Sequence, residues 1–373
     1  MTPDEMTAFF ARRRQAREAG DIPAMVADYA EDCVLETQGF GTLVGRAAVE
    51  QYLRRRADIM PDLQGHEEDL IVMGERAVML GTVSSQQPRG GLRSLLGGKP
   101  FTRQVIAVYE IRNHQILRER VVYDLSGIFL EHLRKDLKTA AQIQRALLPV
   151  GQVSGAGYEA FAESMPCRQI GGDFVDFFEL PHGALGLLLG DVAGKGPPAA
   201  LLAAMLQGSF ASHIAHGGTP AEIVGAVNRV FLRRGIESRF ATVFYAVLSE
   251  DGRLTSCNAG HNPPIVVGRH GTLRLQKGGC VLGMFEDAPF EEETVQLEPE
   301  DVLLTFSDGV TEAVNRDEEE FSDDRLVSWA MAHRDQTPST FVASLLEELR
   351  SFCGDTVQAD DLTCLVLRYS GAR

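Results

Sequence analysis

The first thirty residues carry apolar side chains at three- and four-residue intervals. Phe9, Phe10, Met25, Val26 and Tyr29 fall at this spacing and predict a pair of amphipathic helices. Asp21 followed by Pro23 fits an N-cap and an early helical proline. After Gly39-Phe40-Gly41 a second helical run covers residues 47–60 and stops at Pro61. The pattern then changes. Residues 70–73, 77–84, 102–111 and 115–123 are short runs rich in β-branched side chains and bounded by turn residues, which predicts a curved antiparallel sheet. The stretch 88–100 between the second and third of these runs is basic and glycine-rich, and reads as a solvated hairpin tip.

A second zone covers residues 127–148. Leu130, Leu133, Leu137, Ala140 and Leu147 form one narrow stripe, flanked by Arg134, Lys135, Asp136 and Lys138, and the pattern stops at Pro149. So narrow a seam suits a helix that pairs between two chains; a helix docked on its own domain is the competing reading. From Gly151 onward, strand-like runs at 185–189, 242–248, 264–267, 302–306 and 363–369 accompany helical runs at 198–213, 221–233, 326–332 and 338–352. This predicts an α+β protein with an N-terminal domain over 1–126, a linker helix over 127–149 and a sandwich domain over 150–373.

Charge and cysteine usage narrow the setting. With 52 acidic against 36 basic residues, the formal charge of -16 speaks against nucleic acid and anionic membrane as partners. The six cysteines include no C-x-x-C pair and read as buried thiols of a reducing compartment. Arg12 to Arg14 follow the short Phe9-Phe10 pair, the reverse of a signal peptide's order. No apolar stretch approaches the roughly 20 residues of a spanning helix, so the expected location is cytoplasmic.

Aspartates stand where the strands of the third zone begin or end. Asp173 sits in Gly171-Gly172-Asp173-Phe174, Asp191 in Gly190-Asp191-Val192-Ala193-Gly194, and Asp308 in Ser307-Asp308-Gly309; Asp360-Asp361 opens the last strand. Taken singly, each Asp-Gly pair means only a turn. Brought together, such carboxylates raise one another's pKa and require a compensating cation. Hard divalent ions with oxygen ligands, magnesium or manganese, meet that need.

Six segments in order resemble the metal-dependent protein phosphatase family, in its bacterial SpoIIE/RsbU-like branch. They are Ala141-Gln142-Ile143-Gln144-Arg145-Ala146-Leu147-Leu148-Pro149, Ile170-Gly171-Gly172-Asp173-Phe174-Val175-Asp176, Gly190-Asp191-Val192-Ala193-Gly194-Lys195-Gly196, Asn258-Ala259-Gly260-His261-Asn262-Pro263-Pro264, Phe306-Ser307-Asp308-Gly309-Val310-Thr311-Glu312-Ala313 and Asp360-Asp361-Leu362-Thr363. The resemblance covers residues 140–369 and implies an α-β-β-α sandwich. It implies two divalent metal ions, Mn2+ or Mg2+, bridged by Asp191 as the catalytic centre. The Val192 carbonyl, Asp173, Asp308 and Asp360 complete the ligands, with Asp361 as the alternative to Asp360, and Asp176 supports the site from behind. It further implies direct attack of metal-activated water on phosphoserine or phosphothreonine, with no covalent enzyme intermediate. The substrate it implies is a phosphorylated anti-sigma-factor antagonist of STAS type. Where eukaryotic relatives often carry a histidine after the bridging aspartate, this chain has Ala193. Arg168 stands five residues before Asp173, the spacing of a phosphate-binding arginine in those relatives. His261 reads as ordering its loop, and the acidic residues of 317–324 as a solvated edge.

Residues 7–129 resemble, more loosely, a SnoaL-like cone domain. The residues that carry this are Asp28-Tyr29-Ala30-Glu31-Asp32, Gly45-Arg46-Ala47-Ala48-Val49-Glu50 and the 118–124 stretch. Members of that family enclose a pocket, which here would bring in Tyr29, Asp69, Tyr109, Tyr123 or Asp124. No acid/base pair is identifiable, so binding of a small ligand or homodimerisation ranks ahead of catalysis. The alternatives to a phosphatase are a metal-binding docking module and a small-molecule isomerase or hydrolase in the cone.

Overall fold

The computed structural model describes residues 1–38, 40–89, 100–124, 126–149, 151–155, 157–234 and 239–371. The chain divides into two compact units, Met1–Lys135 and Asp136–Arg373.

The first unit opens with α1 (Pro3–Glu18), whose Thr2 and Glu5 form a reciprocal capping box. Next is α2 (Ile22–Ala27), capped by the Asp21 carboxylate on the Ala24 amide. There follow β1 (Tyr29–Thr37), β2 (Gly41–Val44), α3 (Arg46–Ile59), β3 (Gln64–Met73), β4 (Arg76–Ser85), β5 (Phe101–Arg112) and β6 (Gln115–Tyr123). The strands form one sheet in the order β2-β1-β6-β5-β4-β3. Every neighbouring pair is antiparallel except β1 and β6, which run parallel, so the sheet is mixed and not purely antiparallel. Met6, Phe9, Phe10, Met25, Val26, Leu35, Val49 and Ile116 form one core between the helices and the sheet. Tyr29 opens β1 and does not continue a helix. The glycine-rich stretch at 90–99 lies outside the described residues.

Helix α4 (Ser126–Leu147) contains the boundary between the units. The second unit continues with β7 (Gln152–Gly155), β8 (Tyr158–Met165), β9 (Phe174–Glu179) and β10 (Leu185–Val192). Two helices, α5 (Pro197–Ala215) and α6 (Pro220–Arg233), precede β11 (Ala241–Leu248), β12 (Arg253–Ala259), β13 (Ile265–Gly268), β14 (Gly271–Arg274), β15 (Gly278–Gly279) and β16 (Glu293–Gln296). The chain ends with β17 (Val302–Phe306), α7 (Asp308–Thr311), α8 (Asp323–His333), α9 (Pro338–Cys353) and β18 (Leu362–Tyr369). One six-stranded sheet runs β15-β12-β11-β10-β9, with β16 on β12; the other runs β14-β13-β17-β18-β8-β7.

The period of two along the strands builds four layers. Leu187 and Leu189 of β10 face Leu303, Leu365 and Leu367 between the sheets. Leu188 faces the other way, toward Leu206, Phe210, Val224 and Val227 of α5 and α6. On the far side, Leu304, Cys364 and Val366 meet Leu326, Phe341 and Leu345 of α8 and α9. Each fully buried leucine or phenylalanine contributes about 1.5–3 kcal/mol.

Strand register now sets the aspartates. Antiparallel pairing of Phe174 with Gly190 brings the start of β9 to the end of β10, so Asp173 and Asp191 share an edge. Pairing of Phe306 with Cys364 does the same for Asp308 and the Asp360-Asp361 pair.

Candidate metal centre

Four chain segments meet at close quarters, and glycines make this possible. A β-carbon at Gly171 would lie 2.2 Å from Asp361 Oδ2, and one at Gly172 would lie 2.7 Å from the Val192 carbonyl and 3.4 Å from Asp191 Oδ1. At Gly309 a β-carbon would stand 2.2 Å from the Asp361 carbonyl. These glycines are therefore packing requirements, and the Asp-Gly and Gly-Gly pairs do more than make turns.

The carboxylates feel one another. Asp173 is buried, at 4% exposure, and its Oδ2 has no hydrogen-bond partner. Burial, and next the Asp191 charge, hold its carboxyl well above the usual range, while the Ser307 and Thr363 hydroxyls pull the other way. Asp191 is pushed up to about 7, first by burial and then by Asp308, Asp360 and Asp361. Asp308 is raised by burial and by Asp360. An orphaned buried carboxylate oxygen among mutually repelling carboxylates is the arrangement a hard cation completes, so the residues present fit divalent metal ions.

Asp360 and Asp361 differ sharply. Asp361 is buried, and each of its oxygens accepts a main-chain N–H, Cys167 on Oδ1 at 2.8 Å and Gly172 on Oδ2 at 2.7 Å. Its carbonyl accepts the Ser307 hydroxyl at 3.1 Å. Asp360 keeps a partly exposed carboxylate that pairs with Lys195 Nζ at 2.8 Å. Possible ligand atoms of Cys167, Asp360 and Asp361 lie within 4.8 Å of one another. That trio offers poor metal ligands. Burial, with a hydrogen bond to Asp361, pushes the Cys167 thiol up to about 11, and Asp361 is already spent on main-chain amides.

Arg168 is exposed, and a β-carbon at Gly196 would lie 3.8 Å from its Nη1, which puts its guanidinium beside the loop that follows Asp191. Asp176 faces away from the cluster, its carboxylate taking the Gln207 amide at 2.9 Å and the Phe177 N–H at 2.9 Å. His261 is buried, with Nδ1 2.9 Å from the Thr242 hydroxyl, its main-chain N–H donating to Asn258, and its pKa lowered by burial to about 4. Within the acidic stretch, Asp323 and Asp324 begin α8, and Asp323 pairs with Arg274 at 3.0 Å.

Two residues gain roles that sequence reasoning did not give them. Lys195 donates to the Ala359 carbonyl as well as to Asp360, so it braces the loop that carries the last aspartate. Gln144 of α4 grips Gly171 twice: its Nε2 donates to the Gly171 carbonyl at 2.8 Å, and its Oε1 accepts the Gly171 N–H at 3.1 Å. Both residues lie inside quoted motifs, yet nothing in the sequence says that a lysine or a glutamine there reaches another segment.

A four-layer sandwich with carboxylates gathered at one edge of its paired sheets is the PP2C-like fold of metal-dependent phosphatases. The family described as Stage II sporulation protein E (SpoIIE) matches residues 181–370, and a SnoaL-like domain matches residues 7–119. The chain belongs to the SpoIIE family and joins its phosphatase domain to an N-terminal SnoaL-like domain. It is 30% identical over 264 residues to the phosphoserine phosphatase RsbU of Bacillus subtilis, a match covering 69% of this chain and 74% of that one. It is 27% identical over 263 residues to protein IcfG of Synechocystis, covering 63% of this chain but only 41% of that relative's length. The SiaA-PP2C domain of Pseudomonas aeruginosa shares the fold, with a TM-score of 0.58 at 20% identity over 64% of this chain and 98% of that one. The RsbU and RsbW domains of Rv1364c from Mycobacterium tuberculosis give a TM-score of 0.52 at 27% identity, over 59% of this chain and 62% of theirs.

Proposed function

We propose that this chain hydrolyses phosphoserine or phosphothreonine on a regulatory protein, using two divalent cations, Mn2+ or Mg2+. Asp173, Asp191, Asp308, Asp360 and the Val192 carbonyl would hold them. One observation carries the reading: four segments distant in sequence meet through glycine contacts and leave mutually repelling carboxylates on a shared edge. Bound there, the cations supply Lewis-acid polarisation of water and of the phosphoryl oxygens.

The chain's own groups do the rest. Asp191 interacts electrostatically with Asp173, Asp308 and Asp360, and would hold the cations together with them. Asp361 serves as a positioning residue, tying the Cys167 and Gly172 amides to the segment that presents Asp360. Arg168 and Lys195, both exposed, bring positive charge to the mouth where a phosphate would lie. Ala193 offers no proton, so the leaving alkoxide takes its proton from water or another side chain.

The substrate we assign is a phosphorylated anti-sigma-factor antagonist of STAS type. In support, the relative RsbU is named a phosphoserine phosphatase, and the Mycobacterium tuberculosis relative joins an RsbU domain to an RsbW domain. We assign the N-terminal unit a regulatory role through a small ligand. We also assign a homodimer through α4, where Leu130, Leu133, Ile143 and Leu147 are 51%, 56%, 60% and 47% exposed. Six unpaired cysteines fit a cytoplasmic setting. No helix among the described residues is long and apolar enough to cross a membrane.

The test is phosphate release by the full chain from a phosphoserine antagonist protein in Mn2+. EDTA and Asp308→Asn should each abolish it. Release that survives both overturns the assignment of the site, and an untouched antagonist beside a hydrolysed unrelated phosphoprotein overturns the substrate.

A further inference from the structure

The first unit encloses a cavity of about 440 Å³ whose wall includes Arg17, Arg56, Met79, Tyr109, Glu119 and Tyr123. This is the size of a small-molecule site. Tyr29 and Tyr52 line an adjoining recess, while Asp69 and Asp124 are exposed on the outside.

The charges on the wall do not balance. Glu119 is buried and already engaged, by Arg13 Nη2 at 3.3 Å and by the Tyr29 hydroxyl. Asp62 is also spent, accepting the Ser85 hydroxyl at 2.6 Å and the Gln86 and Gln87 amides at 2.7 and 2.9 Å. Glu18 is exposed at the end of α1. Against these stand two guanidinium groups that make no ion pair or side-chain hydrogen bond among the described residues. Arg17 Nε is buried without a partner. The Arg56 guanidinium lies 5.7 Å over the Tyr52 ring. The phenols cannot neutralise them, since burial raises Tyr29, Tyr109 and Tyr123 above the ordinary tyrosine value and keeps them protonated donors. Arg56 feels only the Glu119 charge that Arg13 already engages, neither guanidinium has an ion-pair partner of its own among the described residues, and the planar fork of each matches a further carboxylate. Met25, Leu53, Met79 and Val121 supply an apolar surface beside it.

We propose that this cavity binds an organic anion, an apolar carboxylate whose charged group pairs with Arg17 and Arg56 while its apolar body packs on Met25, Leu53 and Met79. The inference rests on the reading of the N-terminal unit as ligand-binding and names the chemistry of that ligand.

The experiment is calorimetric titration of the full chain with 2-naphthoate and with its neutral counterpart 2-naphthamide, alongside the Arg17→Met/Arg56→Met double variant. Wild type should bind 2-naphthoate saturably and 2-naphthamide at least about tenfold more weakly, and the double variant should lose at least about tenfold in naphthoate affinity. The ligand-free double variant should also melt at or above the wild-type temperature, because neither side chain makes an ion pair that the change would break. A lower melting temperature marks the arginines as structural and overturns the proposal. Equal binding of the two probes leaves a ligand site but overturns its anionic character. Unchanged naphthoate affinity in the double variant overturns the assignment to these arginines. Binding of neither probe overturns both the inference and the ligand-binding reading on which it rests.

Discussion

Replacing Asp191 with asparagine removes one charge from the carboxylate cluster and keeps the shape of the side chain. The Asp191 carboxyl is pushed up from 3.8 to about 7 by burial, Asp308, Asp360 and Asp361. A difference of about three units corresponds to about 4 kcal/mol disfavouring the ionised form. Asp173 is itself raised, and its protonation relieves part of the same repulsion, so about 2 kcal/mol is the expected gain for the metal-free variant. The sign follows from proton binding. A folded-state value above the unfolded one means that the folded chain holds a proton the unfolded chain has released, so this group's contribution falls as pH rises from about 4 to about 7. In EDTA at pH 8, Asp191→Asn should therefore melt about 4–8 °C above wild type, and the gap should close toward pH 4. Mn2+ should reverse the order, since it stabilises the wild type and has lost a ligand in the variant, while phosphate release falls by about a hundredfold to a thousandfold. Scanning calorimetry with and without Mn2+, paired with a phosphate-release assay, reads both arms. A variant no more stable than wild type in EDTA at pH 8 refutes the electrostatic argument, and retained turnover refutes the role of Asp191.

Asp361→Ala should cost about 2–4 kcal/mol in urea unfolding, because it strands the Cys167 and Gly172 amides, and Asp361→Asn, which keeps one acceptor, should cost about half. Equal losses in the two variants would show that the main-chain anchoring is not what matters. His261 makes a pH-dependent contribution of the opposite sign to that of Asp191. Its folded value of about 4 lies below the ordinary 6.5, so its contribution is full above 6.5 and is lost as pH falls through that window toward 4. His261→Asn should therefore flatten the acid side of the urea-midpoint profile by up to about 3 kcal/mol. A wild-type-minus-variant difference that does not change with pH would refute it.

The gathering of aspartates at a sheet edge was readable from sequence because they occupy the ends of strongly apolar strands, and β10, β17 and β18 are buried along nearly their whole length. Other strands hid behind their polar faces. In β1, Glu31 and Asp32 point outward between buried Ala30 and Cys33, which breaks the apolar run. In β8 the alternation is present, but alanines carry it. The parallel pairing of β1 with β6 is set by tertiary packing and leaves no local signal. The cavity arginines were the hardest to see. Arg12 to Arg14 speak in sequence only against a signal peptide, yet Arg13 is 8% exposed and binds Tyr29 and Glu119. The clue was phase. Phe9, Arg13 and Arg17 follow one another at four-residue steps, so the two arginines continue the apolar stripe of α1. The difference between Asp360 and Asp361 lies in where main-chain amides point, which no spacing reveals.

The two-point grip of Gln144 on Gly171 engages only main-chain atoms, so it fixes the angular phase of α4 relative to the Asp173 loop and nothing further up the helix. Because the helix turns about 100° and advances about 1.5 Å per residue, a shift of one residue would carry the carboxamide away from Gly171 and break both contacts together. The grip is in this sense a keyway: it accepts one setting of the helix against the loop and no neighbouring one.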